Sequence, residues 1–281
     1  MTNEITNEKN ILRLSVPLFI LLACVSALGL FTNNFYYRET TNWATQGIAQ
    51  DMVDLFFISP ILLIASILAY KRNLIAKLIW GGTNLFVIYT FALYCFAVHF
   101  NVLFIPYCIV FGLSIYSFIY FLYITIASTQ KSFPIKDSWR KATAVFLILI
   151  AGVFYLLWLS EIIPANINNT LPKSIAGTGV LTNPVHVIDL AVCLPGIFII
   201  AVLLLKKKIA GLLLTPPVLV FCIEMSLSIA ALMVVMKQRN ELADLSPLYF
   251  MGIIALIGLG FLIVILRNFK TQTSAHYKII S

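Results

Sequence analysis

Eight apolar runs, each long enough to cross about 30 Å of hydrocarbon as a helix, leave this chain few folds to choose from. They lie near residues 11–32, 51–70, 74–99, 102–127, 142–163, 184–205, 209–236 and 247–266. Inside lipid the backbone must satisfy its own N–H and C=O groups, and runs of this length do so as helices. The expected fold is therefore all-α: one polytopic transmembrane helix bundle of eight spans over residues 1–270, with a short cytoplasmic tail at 271–281. Only 11% of the residues are charged, against roughly 25% in a soluble domain, so no soluble domain is expected beside the bundle. Phe100 and Asn101 alone separate the third and fourth runs, which implies a tight hairpin around His99-Phe100-Asn101.

The net charge of +8 is spread in short tracts between the apolar runs: Lys71-Arg72, Lys131 to Lys141, Lys206-Lys207-Lys208, and Arg267 with Lys270. That placement fits orientation charge and not a phosphate-binding face, so no nucleic-acid partner is expected. With the N-terminus cytoplasmic, only Arg38, Lys173, Lys237 and Arg239 of the 19 Lys and Arg residues fall outside. The positive-inside rule then sets both termini in the cytoplasm of a cell membrane. The first apolar run is long enough to span and shows no small-x-small cleavage site, so it reads as a helix and not as a cleavable signal. Cys24, Cys95, Cys108, Cys193 and Cys222 all sit in apolar runs without a CxxC pair and read as small buried hydrophobes. Two long outer loops are expected. Residues 33–50 carry Tyr36, Tyr37 and Trp43 as an interfacial aromatic belt; residues 164–183 form an irregular cap and include the sequon Asn168-Asn169-Thr170. No convincing sequence repeat is visible, although divergence would hide an inverted repeat of the transporter kind.

Against this apolar background five acidic residues fall inside the spans: Asp51, Asp54, Glu161, Asp189 and Glu224. An ionisable group in hydrocarbon costs several kcal/mol unless it is paired, protonated or hydrated, so such groups point to a site. In the orientation above, Asp51, Asp54, Glu161 and Asp189 gather toward the outer ends of their spans, level with His99 and His186. Asp51 and Asp54 share a helical face. Asn183 is a preferred N-cap and Pro184 a preferred first residue, which projects His186 and Asp189 from one face of a well-fixed helix start.

These residues support three readings. As structural groups they cap helix ends or pair with one another, and Asp51 in a first turn would also suit the helix dipole. As a proton or cation site, neighbouring carboxylates disfavour each other's ionisation and can exchange a proton for a cation or a basic substrate. As a metal centre, His186, Asp189 and Asp54, with His99, offer donors acceptable to Zn²⁺ or another divalent cation, but at no diagnostic spacing. Glu224 lies deeper. It follows Pro216-Pro217, where two lost donors predict a kink or an unwound turn. Tyr116, Tyr120 and Tyr123 form a helical stripe expected to pack between helices or wall a cavity, and Asn84 reads as interhelical glue.

The segments Ala49-Gln50-Asp51 and Asn183-Pro184-Val185-His186 through Asp189 resemble those of a group of uncharacterised multi-pass prokaryotic membrane proteins. The resemblance spans residues 45–236 and implies an eight-helix architecture without an assigned activity. No span carries a lysine placed for a retinal Schiff base, and the His-rich pattern of intramembrane hydrolases is missing. The leading expectation is a small cation- or proton-linked transporter or ligand-binding membrane protein. Its partners are the lipid bilayer and a small molecule or cation, and its outward cavity is formed by Asp51, Asp54, His99, Glu161, Asn183, His186, Asp189 and Glu224. The alternatives are a membrane-embedded metal-dependent hydrolase and a non-catalytic partner subunit. The proposed cavity requires helices two and six to lie side by side.

Overall fold

The computed structural model describes residues 2–126, 135–239 and 245–280, with side chains over 8–125, 135–239 and 245–269. Lys131 and the rest of 127–134 lie outside the described residues, as do 240–244 and the side chains of Lys270 and Lys278. Among the described residues all regular structure is helical. The helices are α1 (Thr2–Phe31), α2 (Thr41–Tyr70), α3 (Leu74–Ala97), α4 (Phe104–Ile126), α5 (Asp137–Asn168), α6 (Pro184–Leu205), α7 (Ile209–Gln238) and α8 (Ser246–Ile280). Each contains a stretch long and apolar enough to cross a membrane, which suits an integral membrane protein.

Several boundaries differ from those read off hydropathy. Thr40 caps α2, its hydroxyl accepting from the Trp43 N–H at 3.3 Å, so the helix starts well before the apolar run. Most of the expected 33–50 loop is therefore helix. Asp51 stands about three turns below the start, beyond the reach of a dipole effect confined to the first turn. Helix α5 likewise continues past Glu161 to Asn168, and α8 runs to Ile280 through the expected tail. The α6 start is as expected: Asn183 accepts from the Val185 N–H at 3.0 Å and Pro184 follows.

The helices α3 and α7 form the centre. Within their spans 72% and 50% of residues are buried, against at most 44% elsewhere. They touch over much of their length because Gly82 brings the backbones close; a Cβ there would lie 2.6 Å from the Pro217 carbonyl oxygen. Helix α2 packs on α3 and α7, and α6 packs on α5, α7 and more lightly α3. Helices α2 and α6 do not pack on each other, since the central pair stands between them. The expected adjacency of the second and sixth spans is thus corrected.

Two helices carry a π-turn, and each begins at an aspartate: Asp54–Ile58 in α2 and Asp189–Cys193 in α6. Pro60 and Pro195 explain the location. A helix-interior proline lacks an N–H and repels the carbonyl four residues back, and one wider turn relieves both. The Ser59 and Leu194 N–H groups reach back five residues to the carbonyls of Asp54 and Asp189. Pro216-Pro217, where an unwound turn was expected, lies instead in unbroken helix, with the Thr215 hydroxyl donating to the Gly211 carbonyl at 2.6 Å.

The α2–α3 and α6–α7 connections are the same motif. Arg72 and Lys207 adopt positive φ (66° and 55°), and the next residues donate five back, Asn73 to Leu68 at 3.1 Å and Lys208 to Leu203 at 2.9 Å. These are the αL residue and the six-to-one bond of a Schellman cap. At the α6 end the buried Arg140 of α5 adds a second cap, donating to the Leu204 carbonyl at 3.1 Å and to that of Leu205.

Candidate functional site

The expected constellation divides into separate groups. Asp51 is 2% exposed and held in a clamp. Tyr36 donates to its Oδ2 at 2.6 Å, and Tyr94 of α3 donates to its Oδ1 at 2.7 Å. Gly29 of α1 makes the room, because a Cβ there would fall 2.0 Å from Asp51 Oδ2. Burial first, and then the Asp51 charge, pushes the Tyr36 phenol well above its ordinary value, so the hydroxyl remains a donor. With both oxygens satisfied, Asp51 is a structural acid.

Asp54, one turn deeper on the same face, is different. Its Oδ1 accepts from Gln50 Nε2 at 2.9 Å, and Gln50 Oε1 in turn accepts from Ser228 of α7 at 2.6 Å. Glu224 lies one turn from Ser228 on the same face of α7, the helix that packs on α2. Its Oε1 accepts from the Thr83 hydroxyl of α3 at 2.7 Å. Asp54 Oδ2 and Glu224 Oε2 have no hydrogen-bond partner among the described residues, although the two side chains are 1% and 4% exposed. The antiparallel run of α2 and α7 thus places Asp54 and Glu224 each one turn beyond the Gln50–Ser228 bond on its own helix. A cavity of about 80 Å³, lined by Tyr36, Thr90, Tyr94 and Gln50, sits beside that bond.

On the other side of the central pair, Asp189 accepts from Trp158 Nε1 of α5 at 2.8 Å and lies beside the Tyr89 hydroxyl of α3 and the Cys193 thiol. His186 is stacked against Trp158 at 4.5 Å between ring centres, and its Nε2 lies 3.9 Å from Glu161 Oε2. That distance is too long for a hydrogen bond, and His186 Nε2 has no other partner among the described residues. The second oxygen pair of this corner is used structurally: Glu161 Oε1 accepts from the Ser174 backbone N–H of the 169–183 segment. A separate cavity of about 400 Å³ opens between the end of α3 and the start of α6, lined by Phe96, His99, Leu181, Pro184, Val187 and Ile188.

The metal set is not assembled. Asp54 belongs to the α2–α7 contact and His186 and Asp189 to the α5–α6 side. Among the described residues no three of His, Cys, Asp and Glu are gathered as a metal ion requires. His99 also stands apart, in the α3–α4 connection. Its backbone N–H and Nδ1 meet the two oxygens of Glu39, at 2.7 and 2.9 Å. Asn183 serves only as the α6 cap. The tyrosine stripe divides: Tyr120 is half-buried and packs against the core, whereas Tyr116 and Tyr123 are exposed on the outside of the bundle. Asn84 bonds within its own helix, to the Trp80 carbonyl at 2.7 Å, and not across helices.

Sequence reasoning missed Gln50 as a bridge and also Thr83, Ser228, Tyr89, Tyr94, Trp158 and Glu39. The spacing of Gln50 to Asp54 and of Glu224 to Ser228, each four residues, was the available signal. The cross-helix partners had none.

Among the described residues the fold is all-helical, with eight membrane-length apolar helices and buried ionisable groups between them. No protein-family model matches the chain, and neither a curated protein nor a solved structure does.

Proposed function

We propose that the protein is a proton-linked cation carrier of the cell membrane whose exchange centre is the Asp54–Glu224 pair. One observation carries this reading: two buried carboxyl groups on helices that pack against each other, Asp54 of α2 and Glu224 of α7, each keep one oxygen without a hydrogen-bond partner among the described residues. Two full negative charges cannot share such a place. The pair must hold a proton between them or a cation in its stead, and either occupant satisfies the two free oxygens. Exchange of one for the other is the elementary step of a proton-linked carrier. The small cavity beside the Gln50–Ser228 bond offers an approach from one end of the bundle, with Gln50 as a polar group on its wall.

The Lys and Arg distribution supports a cytoplasmic N-terminus and C-terminus, which turns that approach and the 400 Å³ cavity to the outer face. Helices α3 and α7, which carry Thr83 and Glu224, are then the elements that would shift to expose the pair inward.

The test is proteoliposomes holding the full chain and a pH-sensitive dye, given gradients of Na⁺, K⁺ and methylammonium in turn. At least one cation gradient should drive a pH change that Asp54→Asn and Glu224→Gln abolish. A wild-type protein that moves no protons under any of the three, or variants that match it, would refute the reading.

A further inference from the structure

The landmarks of the first half recur in the second at one fixed spacing. The π-turns start at Asp54 and Asp189, the hairpin αL residues are Arg72 and Lys207, and the other positive-φ non-glycine residues are Asn34 and Asn169. The differences 189 − 54, 207 − 72 and 169 − 34 all equal 135. The same step takes Thr2 to Asp137, Tyr70 to Leu205 and Leu74 to Ile209, which are the α1 and α5 starts, the α2 and α6 ends and the α3 and α7 starts. Matching residues remain at a few of these points: Asn33-Asn34 with Asn168-Asn169, Asp54-Leu55 with Asp189-Leu190, Pro60 with Pro195, Lys71 with Lys206, Phe86 with Phe221. Hairpin bonding repeats as well, Lys71 to Ile67 with Lys206 to Val202 and Arg72 to Ala69 with Lys207 to Leu204. Independent helices would not share a proline-driven π-turn, a Schellman cap and three helix boundaries at one offset.

The packing follows the same relation. The helices α3 and α7 are counterparts and touch each other at the centre, where Gly82 of α3 meets its own counterpart, Pro217 of α7. Helix α2 packs on α7, and α6 on α3. Four helices per unit keep the two units in the same direction, so the relation is a direct repeat and not the inverted one.

We infer that the chain is a tandem duplication of a four-helix unit, and that Asp189 with Tyr89 is a second cation or proton site, the counterpart of Asp54 with Glu224. Tyr89 and Glu224 are themselves 135 residues apart, and each sits on the central helix that packs on the other unit's second helix, where a π-turn opens at the aspartate. The second site has one carboxyl group where the first has two. It holds a single proton or one monovalent cation, against the walls of Trp158 and Tyr89. His186 occupies the counterpart position of Asp51, and its buried Nε2, 3.9 Å from Glu161 Oε2 and without a hydrogen-bond partner among the described residues, has capacity for a ligand where Asp51 has none. The titratable groups facing Asp189 are Tyr89, Cys193 and, one turn away, His186 with Glu161; those facing Asp54 are Asp51, Glu224 and Tyr94. What the second site binds rests on the exchange reading above, whereas the duplication does not.

Infrared difference spectroscopy of the full chain in nanodiscs, titrated with pH, tests this without any transport. Tyr89→Glu should create a second acid pair: one new carboxyl band, coupled to Asp189 and altered when Asp189→Asn is added, with the Asp54 and Glu224 bands unmoved. If Tyr89→Glu does not fold, Tyr89→Phe serves. It should shift the band that Asp189→Asn deletes and no other. A new band indifferent to Asp189→Asn, or an Asp189 band that ignores Tyr89→Phe, overturns the second site. Loss of transport in proteoliposomes with these spectra intact would instead count against the carrier reading alone.

Discussion

Asp51 and Asp54 stand one turn apart on one face of α2, equally buried, and their surroundings are opposite. Asp51 has a phenol hydroxyl on each oxygen and a glycine cut to fit it. Asp54 has one amide donor, one bare oxygen and another acid for a neighbour. A saturated carboxyl group in a membrane fixes structure, because any change leaves a polar atom unpaired in a dry place. An unsaturated pair stores capacity for a proton or cation. Burial alone therefore does not separate Asp51 from Asp54; the count of unused oxygens does.

The sharpest way to break the comparison is to remove charge from the two places. Asp54→Asn and Glu224→Gln should reduce cation-driven proton flux in proteoliposomes to background while the protein remains folded in detergent. Next comes Gly29→Ala, whose methyl group would strike Asp51 Oδ2. Overpacking of this kind should cost about 3 kcal/mol, read as a lower thermal midpoint with no comparable loss for alanine at Gly152, where a Cβ meets nothing within 4 Å. Tyr94→Phe strands Asp51 Oδ1 and should cost about 2 kcal/mol, with a double-mutant cycle against Tyr36→Phe showing coupling. Trp158→Phe, which removes one donor from the less buried Asp189, should cost only about 1 kcal/mol.

The smallest effect is on pH. Burial raises the Tyr36 phenol in the folded protein above the 10.0 of the unfolded chain. Stability from this group is therefore complete below pH 10 and is lost as pH rises past it. The alkaline fall in melting midpoint should be shallower in Tyr36→Phe. An identical fall in both proteins would mean that Tyr36 does not titrate with unfolding.

Hydropathy was enough to read eight helices, because each needs only a long apolar run, and Asn183-Pro184 marked the α6 start through local capping chemistry. The α2 start was not legible. Its first turns, Thr41 through Gln50, are polar enough to pass for a loop, and the Thr40 cap that begins them is one of two adjacent threonines in a polar stretch. The acids themselves were visible, but their grouping was not. Which faces of α2 and α6 meet α7 and α3 depends on the two π-turns, each of which rotates the rest of its helix. The duplication escaped notice because little more than capping, turn and proline positions survive in the second copy. Those are the residues a helical hairpin cannot change freely.

Proton release on cation binding goes to the heart of the matter. Full-length protein in nanodiscs, weakly buffered near neutral pH, would receive Na⁺, K⁺ or methylammonium while a soluble indicator follows the medium. Acidification with one of these cations, lost in Asp54→Asn and in Glu224→Gln but kept in Tyr116→Phe on the outer surface, is the expected result. A wild-type protein that takes up the cation and releases no proton, or an undiminished release from both variants, would contradict the acid pair as the exchange centre.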